Sequence, residues 1–124
     1  MEDIHQMVKQ IVQTYQTNDP FRLSQALHIH LWPSRMPPGL WGVFIYRAPQ
    51  AFFSYDMTAP GTLQTTYVAH GLAHYVLHRE HSPLFIERDE PDPSVFEAVA
   101  RAFADDLLFG TGSIAISAKP HMMD

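Results

Sequence analysis

The chain contains no cysteine. Disulfides and thiolate metal sites are therefore excluded, and any metal ion has to be held by histidine, aspartate or glutamate. Charge is sparse too. Only 17% of the 124 residues are Asp, Glu, Lys or Arg, and the acidic ones prevail to give a formal charge of -5. A nucleic-acid module normally carries a basic face to meet phosphates, so direct nucleic-acid binding is not expected. No stretch approaches the roughly 18 consecutive apolar residues of a membrane span. The opening MEDIHQMVKQIVQ has no basic segment leading into an apolar run, so it does not read as a signal peptide. There is no internal repeat, low-complexity block or long linker. What remains is 46% hydrophobic residues, enough for one modest core. The expectation is a single domain over residues 1–124, soluble and cytoplasmic, with no separate DNA-binding domain.

Pattern and punctuation predict an α+β fold. Ile4, Met7, Val8, Ile11, Val12 and Tyr15 recur at helical spacing over residues 3–16. Asp19-Pro20 is a cap and first-turn pair for a short helix over about residues 20–27. LHIHLWP alternates and predicts a strand that stops at Pro33. LWGVFIYR and QAFFSYD, rich in aromatic and β-branched residues, predict a hairpin. Thr58-Ala59-Pro60 predicts a helix start with Thr58 as the cap, running to about residue 79. EHSPLFIERDEPDP reads as an acidic connection, and Asp92-Pro93 as the start of a last helix over about residues 93–109. The tail from Ser113 to Asp124 is indefinite, although IAIS suits a short strand. The predicted order is α-α-β-β-β-α-α.

Eight histidines are many for this length, and four of them, His70, His74, His78 and His81, cluster. Residues four apart on a helix lie about 40° apart on one face, so the rings of His70 and His74 can reach one ion. The same spacing also suits histidines that are simply exposed or hydrogen-bonded. Tyr67, Val68, Leu72, Ala73, Tyr75, Val76 and Leu77 make this helix apolar on most sides, however. Such a helix is buried, and buried histidines need partners. A metal is one such partner. A third ligand has to come from elsewhere, and Glu97 is the charged residue in the apolar first half of the last helix. Glu97 also stands three residues after Ser94, the spacing of a capping box.

Four stretches, TNDPFRLSQALHIHLW, PPGLWGVFIY, TTYVAHGLAHYVLHRE and FEAVARAFADDLLF, together resemble the ImmA/IrrE family of metallopeptidases. That family has a helix of the form A-H-E-L-G-H-x-x-L-H, and later a helix of the form E-x-x-A-N-x-F-A-x-x-L-L-M-P. The likeness covers about residues 15–110 in the same order. It implies a zincin-like minimal peptidase fold, with a small antiparallel or mixed sheet packed on a metal-binding helix and a second ligand-bearing helix. It also implies zinc held by His70, His74 and Glu97, with His78 in a supporting, hydrogen-bonding role. The implied partner is a helix-turn-helix repressor of a prophage, mobile element or stress regulon, cleaved and so inactivated.

The chain departs from that pattern where the chemistry matters most. Gly71 stands at the position of the glutamate that takes a proton from the metal-bound water, help worth about 10²–10⁴-fold in rate. Arg101 stands where the family often has asparagine, and Phe109-Gly110 where it often has Met-Pro. The nearest other acids are Glu80, Glu87, Asp105 and Asp106, and spacing places none of them as the missing glutamate would be. Three functions follow as alternatives. One is a peptidase with impaired or absent turnover, with substrate added along an edge strand near Ala51–Tyr55. The second is a non-catalytic antirepressor that acts stoichiometrically. The third is a domain in which the histidines and Glu97 serve structure alone.

Overall fold

The computed structural model describes residues 3–89 and 94–110. The first helix, α1, spans Ile4–Tyr15. Asp3 caps it by accepting from the His5 N–H, and Gln16 ends it in the left-handed conformation, with its N–H returning to the Val12 carbonyl. Val8 and Val12 face inward, completely buried. Next comes α2, Pro20–Ala26, where Asp19 accepts from the Phe21 N–H and Pro20 fills a first-turn position that needs no donor.

Strands β1 (Ile29–Ser34), β2 (Leu40–Arg47) and β3 (Gln50–Asp56) follow, with β4 (Leu84–Arg88) lying between helices α3 (Gly61–His78) and α4 (Val95–Phe109). The sheet order is β1-β3-β2-β4. The β1–β3 pair is parallel, while β2 runs antiparallel to both β3 and β4. The fold is thus α+β with a small mixed sheet. Among the described residues, no helix is long and apolar enough to cross a membrane.

Several expectations need correction. Strand β1 does not stop at Pro33 but continues to Ser34, with Pro33 paired to Tyr55. A sheet edge tolerates the missing N–H, and β1 is an edge. The segment Ala51–Tyr55 is no edge, because β1 covers one side of β3 and β2 the other. Thr58 does not cap α3. The N-cap is Pro60, without a side-chain bond, and the Thr58 hydroxyl turns back to Asp56. Residues 80–93 are more than a connection, since they contain β4. Helix α4 begins at Val95 behind an N-cap at Ser94, whose Oγ accepts from the Phe96 N–H. Asp92-Pro93 and the IAIS tail lie outside the described residues.

The core sits between one face of the sheet and α3, with α4 packed on α3 and α1 on α4. Phe44 and Phe53 rise from the sheet toward α3, and with Val68, Leu72, Phe103 and Leu107 they belong to one buried cluster. Phe53 occupies a notch cut from two sides. A Cβ added at Gly42 on β2 would come within 2.8 Å of its ring, and one added at Gly71 on α3 within 2.6 Å. The two glycines let β2 and α3 close on one aromatic ring. Among the described residues, no element packs on the opposite, largely apolar face of the sheet. Trp32, Ile45, Leu84 and Ile86 are exposed there, and the strand register places Phe52 and Val43 among them.

Candidate metal centre

Two neighbouring turns of α3 bring His70 and His74 to the same side, as a 3.6-residue repeat requires. Helix α4 contributes Glu97 from its first turn, where the unpaired amides of a helix start favour a carboxylate. With Ser94 as N-cap, Glu97 does stand at the capping-box position. Its carboxylate nevertheless meets the imidazoles: Oε1 accepts from His70 Nε2 at 2.8 Å, and Oε2 lies 3.2 Å from His74 Nε2. The three residues expected to share an ion are therefore together in space.

A fourth residue joins them. Glu87 on β4 places Oε1 3.2 Å from His70 Nε2 and Oε2 2.9 Å from His74 Nε2. Donor atoms of His70, His74, Glu87 and Glu97 all lie within 4.8 Å of one another, and all four residues are buried. The other acids near in sequence are elsewhere. The Glu80 side chain is 78% exposed, Asp105 is exposed, and Asp106 pairs with His5 of α1 at 3.2 Å. A signal for Glu87 exists in the sequence. In LFIER, Phe85 and Glu87 share one face of a two-residue alternation, so a strand that buries the phenylalanine also buries the acid. The prolines and acids around this five-residue strand mask that pattern.

Aromatic rings enclose the cluster. Phe85 stacks on His74 at 4.0 Å between centroids, and Trp41 meets His70 edge-on at 5.2 Å while stacking on Tyr67. Behind His74, its Nδ1 lies 3.1 Å from Nδ1 of His78. Burial, together with the neighbouring His74 and His81, pushes the His78 pKa down to about 4, so this ring is neutral. A neutral His78 can accept a proton from His74 Nδ1, an arrangement that leaves His74 Nε2 for the two carboxylates.

The two carboxylates govern the electrostatics of the centre. Burial opposes charge on His70, but hydrogen bonds and charge from Glu87 and Glu97 outweigh it and raise the pKa to about 9. His74 is raised by the same two carboxylates against the same burial. Burial acts to raise Glu97 as well, yet the neighbouring His70 and His74 hold it well below the usual carboxylate range. Two carboxylates thus draw positive charge into a dry site. A divalent ion supplies that charge while leaving both rings neutral.

The geometry fits one. A tetrahedral ion with ligands at ordinary zinc distances sets its donors about 3.4 Å apart. One donor atom from each of the four residues lies within 4.8 Å of the others, and each Nε2 has an oxygen of each carboxylate at 2.8 to 3.2 Å, so the donors converge on one volume of about that size. His74 Nε2 and Glu87 Oε2 lie 2.9 Å apart, yet neither makes an aligned hydrogen bond, although both are buried. Proximity without alignment is what two ligands of one centre show when each points at a common third atom. The group can therefore hold a metal ion.

The other flank of α3 is closed. The position expected to carry the proton-accepting glutamate, Gly71, has Phe53 ring carbons at 2.6 Å from where its Cβ would be. No protein-family model matches the chain, and no curated protein matches it.

Proposed function

We propose that this protein is a zinc-binding domain of ImmA/IrrE-like layout that has given up peptide hydrolysis and acts by binding a helix-turn-helix repressor stoichiometrically. One observation carries the loss of turnover: the space beside His70 that a catalytic glutamate would use is filled by the ring of Phe53. A glutamate at 71 would need that ring displaced from a fully buried position. The zinc assignment is supported by the donor set, since two imidazoles and carboxylate oxygens without sulfur suit zinc among the common divalent ions. Zinc would be held by His70, His74 and Glu97 and would supply Lewis acidity when bound. His78 would keep His74 in the tautomer that presents Nε2.

The open apolar sheet face supports a protein partner. Trp32, at 63% exposure, with Ile45, Leu84 and Ile86, forms the kind of exposed apolar surface that marks interaction sites. Among the described residues, the edge strands of the sheet, which strand addition would use, are β1 and β4.

The test uses the zinc-loaded full chain and the helix-turn-helix repressors of its own genome, one at a time. Calorimetry reads complex formation, and gel electrophoresis with mass spectrometry reads cleavage. A complex with an intact repressor is the expected result. Zinc-dependent cleavage by the wild-type chain would sink the non-catalytic reading, and failure to bind any of the repressors would sink the partner. Zinc analysis of chain prepared without chelator tests the metal separately.

A further inference from the structure

Glu87 is the member of the cluster that a three-ligand centre does not need, and the fold is shaped to deliver it. Strand β4 pairs with β2 through Phe44↔Phe85 and Gly42↔Glu87, and then the register shifts, so that Leu40 faces Arg88 and Trp41 is left over. A bulge of this kind re-aims side chains. Here the extra residue, Trp41, turns onto His70. Opposite Glu87 stands Gly42, where an added Cβ would come within 3.4 Å of the glutamate's Cγ. The glycine leaves the Glu87 stem room to pass inward. The residue ends 2% exposed, a state that charged side chains reach only when paired.

Its distances separate two roles. A general base stands beyond the metal-bound water, within hydrogen-bond reach of that water. Glu87 instead has both oxygens against the same two Nε2 atoms that Glu97 faces, at 3.2 and 2.9 Å compared with 2.8 and 3.2 Å. The two carboxylates are near-equivalent, each bridging both imidazoles. Charge leads to the same conclusion. A divalent ion with two neutral imidazoles and one carboxylate keeps a positive charge, which suits an open, water-bearing centre. A second carboxylate cancels it and suits a closed one.

We propose that Glu87 is a fourth protein ligand, so that two imidazoles and two carboxylates enclose the ion and leave no coordination position for water or a substrate carbonyl. This rests on the metal reading above. It makes the ion a clamp joining α3, β4 and α4, and it blocks hydrolysis independently of Gly71.

Cobalt(II) is the probe. The full-length chain is loaded with it, and its visible absorption is followed while azide is added as an external ligand. Wild type is expected to bind one cobalt ion per chain with a spectrum that azide leaves unchanged. Glu87→Ala opens a position, so azide then shifts the spectrum, and cobalt affinity falls at least about tenfold, the smallest loss usual for groups that merely support a ligand. Glu87→Gln keeps the side-chain shape and decides the matter if the alanine variant does not fold, with the same affinity loss expected. Glu80→Gln, at an exposed position, serves as the unchanged control. Wild-type cobalt that responds to azide, or a Glu87→Gln chain that binds cobalt as tightly as wild type, overturns the fourth ligand while leaving the metal centre standing. A wild-type chain that takes up no cobalt overturns both.

Discussion

The two flanks of α3 solve opposite problems within one helical turn. On one, His70 and His74 face Glu87 and Glu97, and four polar groups share a dry volume. On the other, Gly71 presents bare backbone to the ring of Phe53. The polar flank depends on charge balance and ligand supply. The apolar flank depends on shape alone and is packed to contact. Here one flank carries a group that can hold an ion, and the other is part of the core.

Breaking the apolar flank should have the largest effect. Phe53→Ala empties a fully buried aromatic position and should cost about 3–5 kcal/mol in denaturant unfolding. A loss below about 1 kcal/mol would mean that the ring is not the wedge described. On the polar flank, His78→Phe removes the acceptor behind His74 but suits the neighbouring Phe85 and Phe96. Zinc affinity should fall about 10–100-fold, with little change in metal-free stability. Equal zinc binding by calorimetry would show that His78 does not orient the ligand.

Gly71→Ala should destabilise by roughly 1–2 kcal/mol, because overpacking outweighs the helix preference of alanine. The double variant with Phe53→Ala should then cost less than the sum of the two single changes. Strict additivity would disconnect the pair. The smallest effect is in pH. In metal-free protein the His70 pKa lies near 9 rather than at the ordinary 6.5. Stability from its pairing is therefore fully present below about 6.5 and is lost as pH rises through about 9. Unfolding measured with chelator present should weaken across that window, while the Phe53→Ala deficit stays constant. A flat profile would count against the charged polar flank.

What the sequence made legible is local in origin. Asp19-Pro20 caps α2 because the signal and the structure are one contact, and LWGVFIYR and QAFFSYD match β2 and β3 in full. His70, His74 and Glu97 could be set side by side only through the ordered resemblance, because 27 positions separate His70 from Glu97. The features that escaped are those made by distant chain. Strand β1 joins β3 in parallel, which puts the expected edge in the middle. Strand β4 is five residues long among prolines and acids, and with it went the placement of Glu87. Gly71 looked like a bare chemical loss, since nothing near it in the chain reveals that a ring eighteen positions earlier fills its place.

The stack of Gly42, Phe53 and Gly71 restricts the order in which this chain can change. Any side chain at 71 collides while the ring is present, and shrinking the ring first passes through a chain weakened by several kcal/mol. Placing a glutamate at 71 therefore has to cross a valley, with the costly step at Phe53 coming first. The stack therefore works as a lock: neither position 71 nor the ring can be altered singly without cost, and only a paired change at 53 and 71 relieves both.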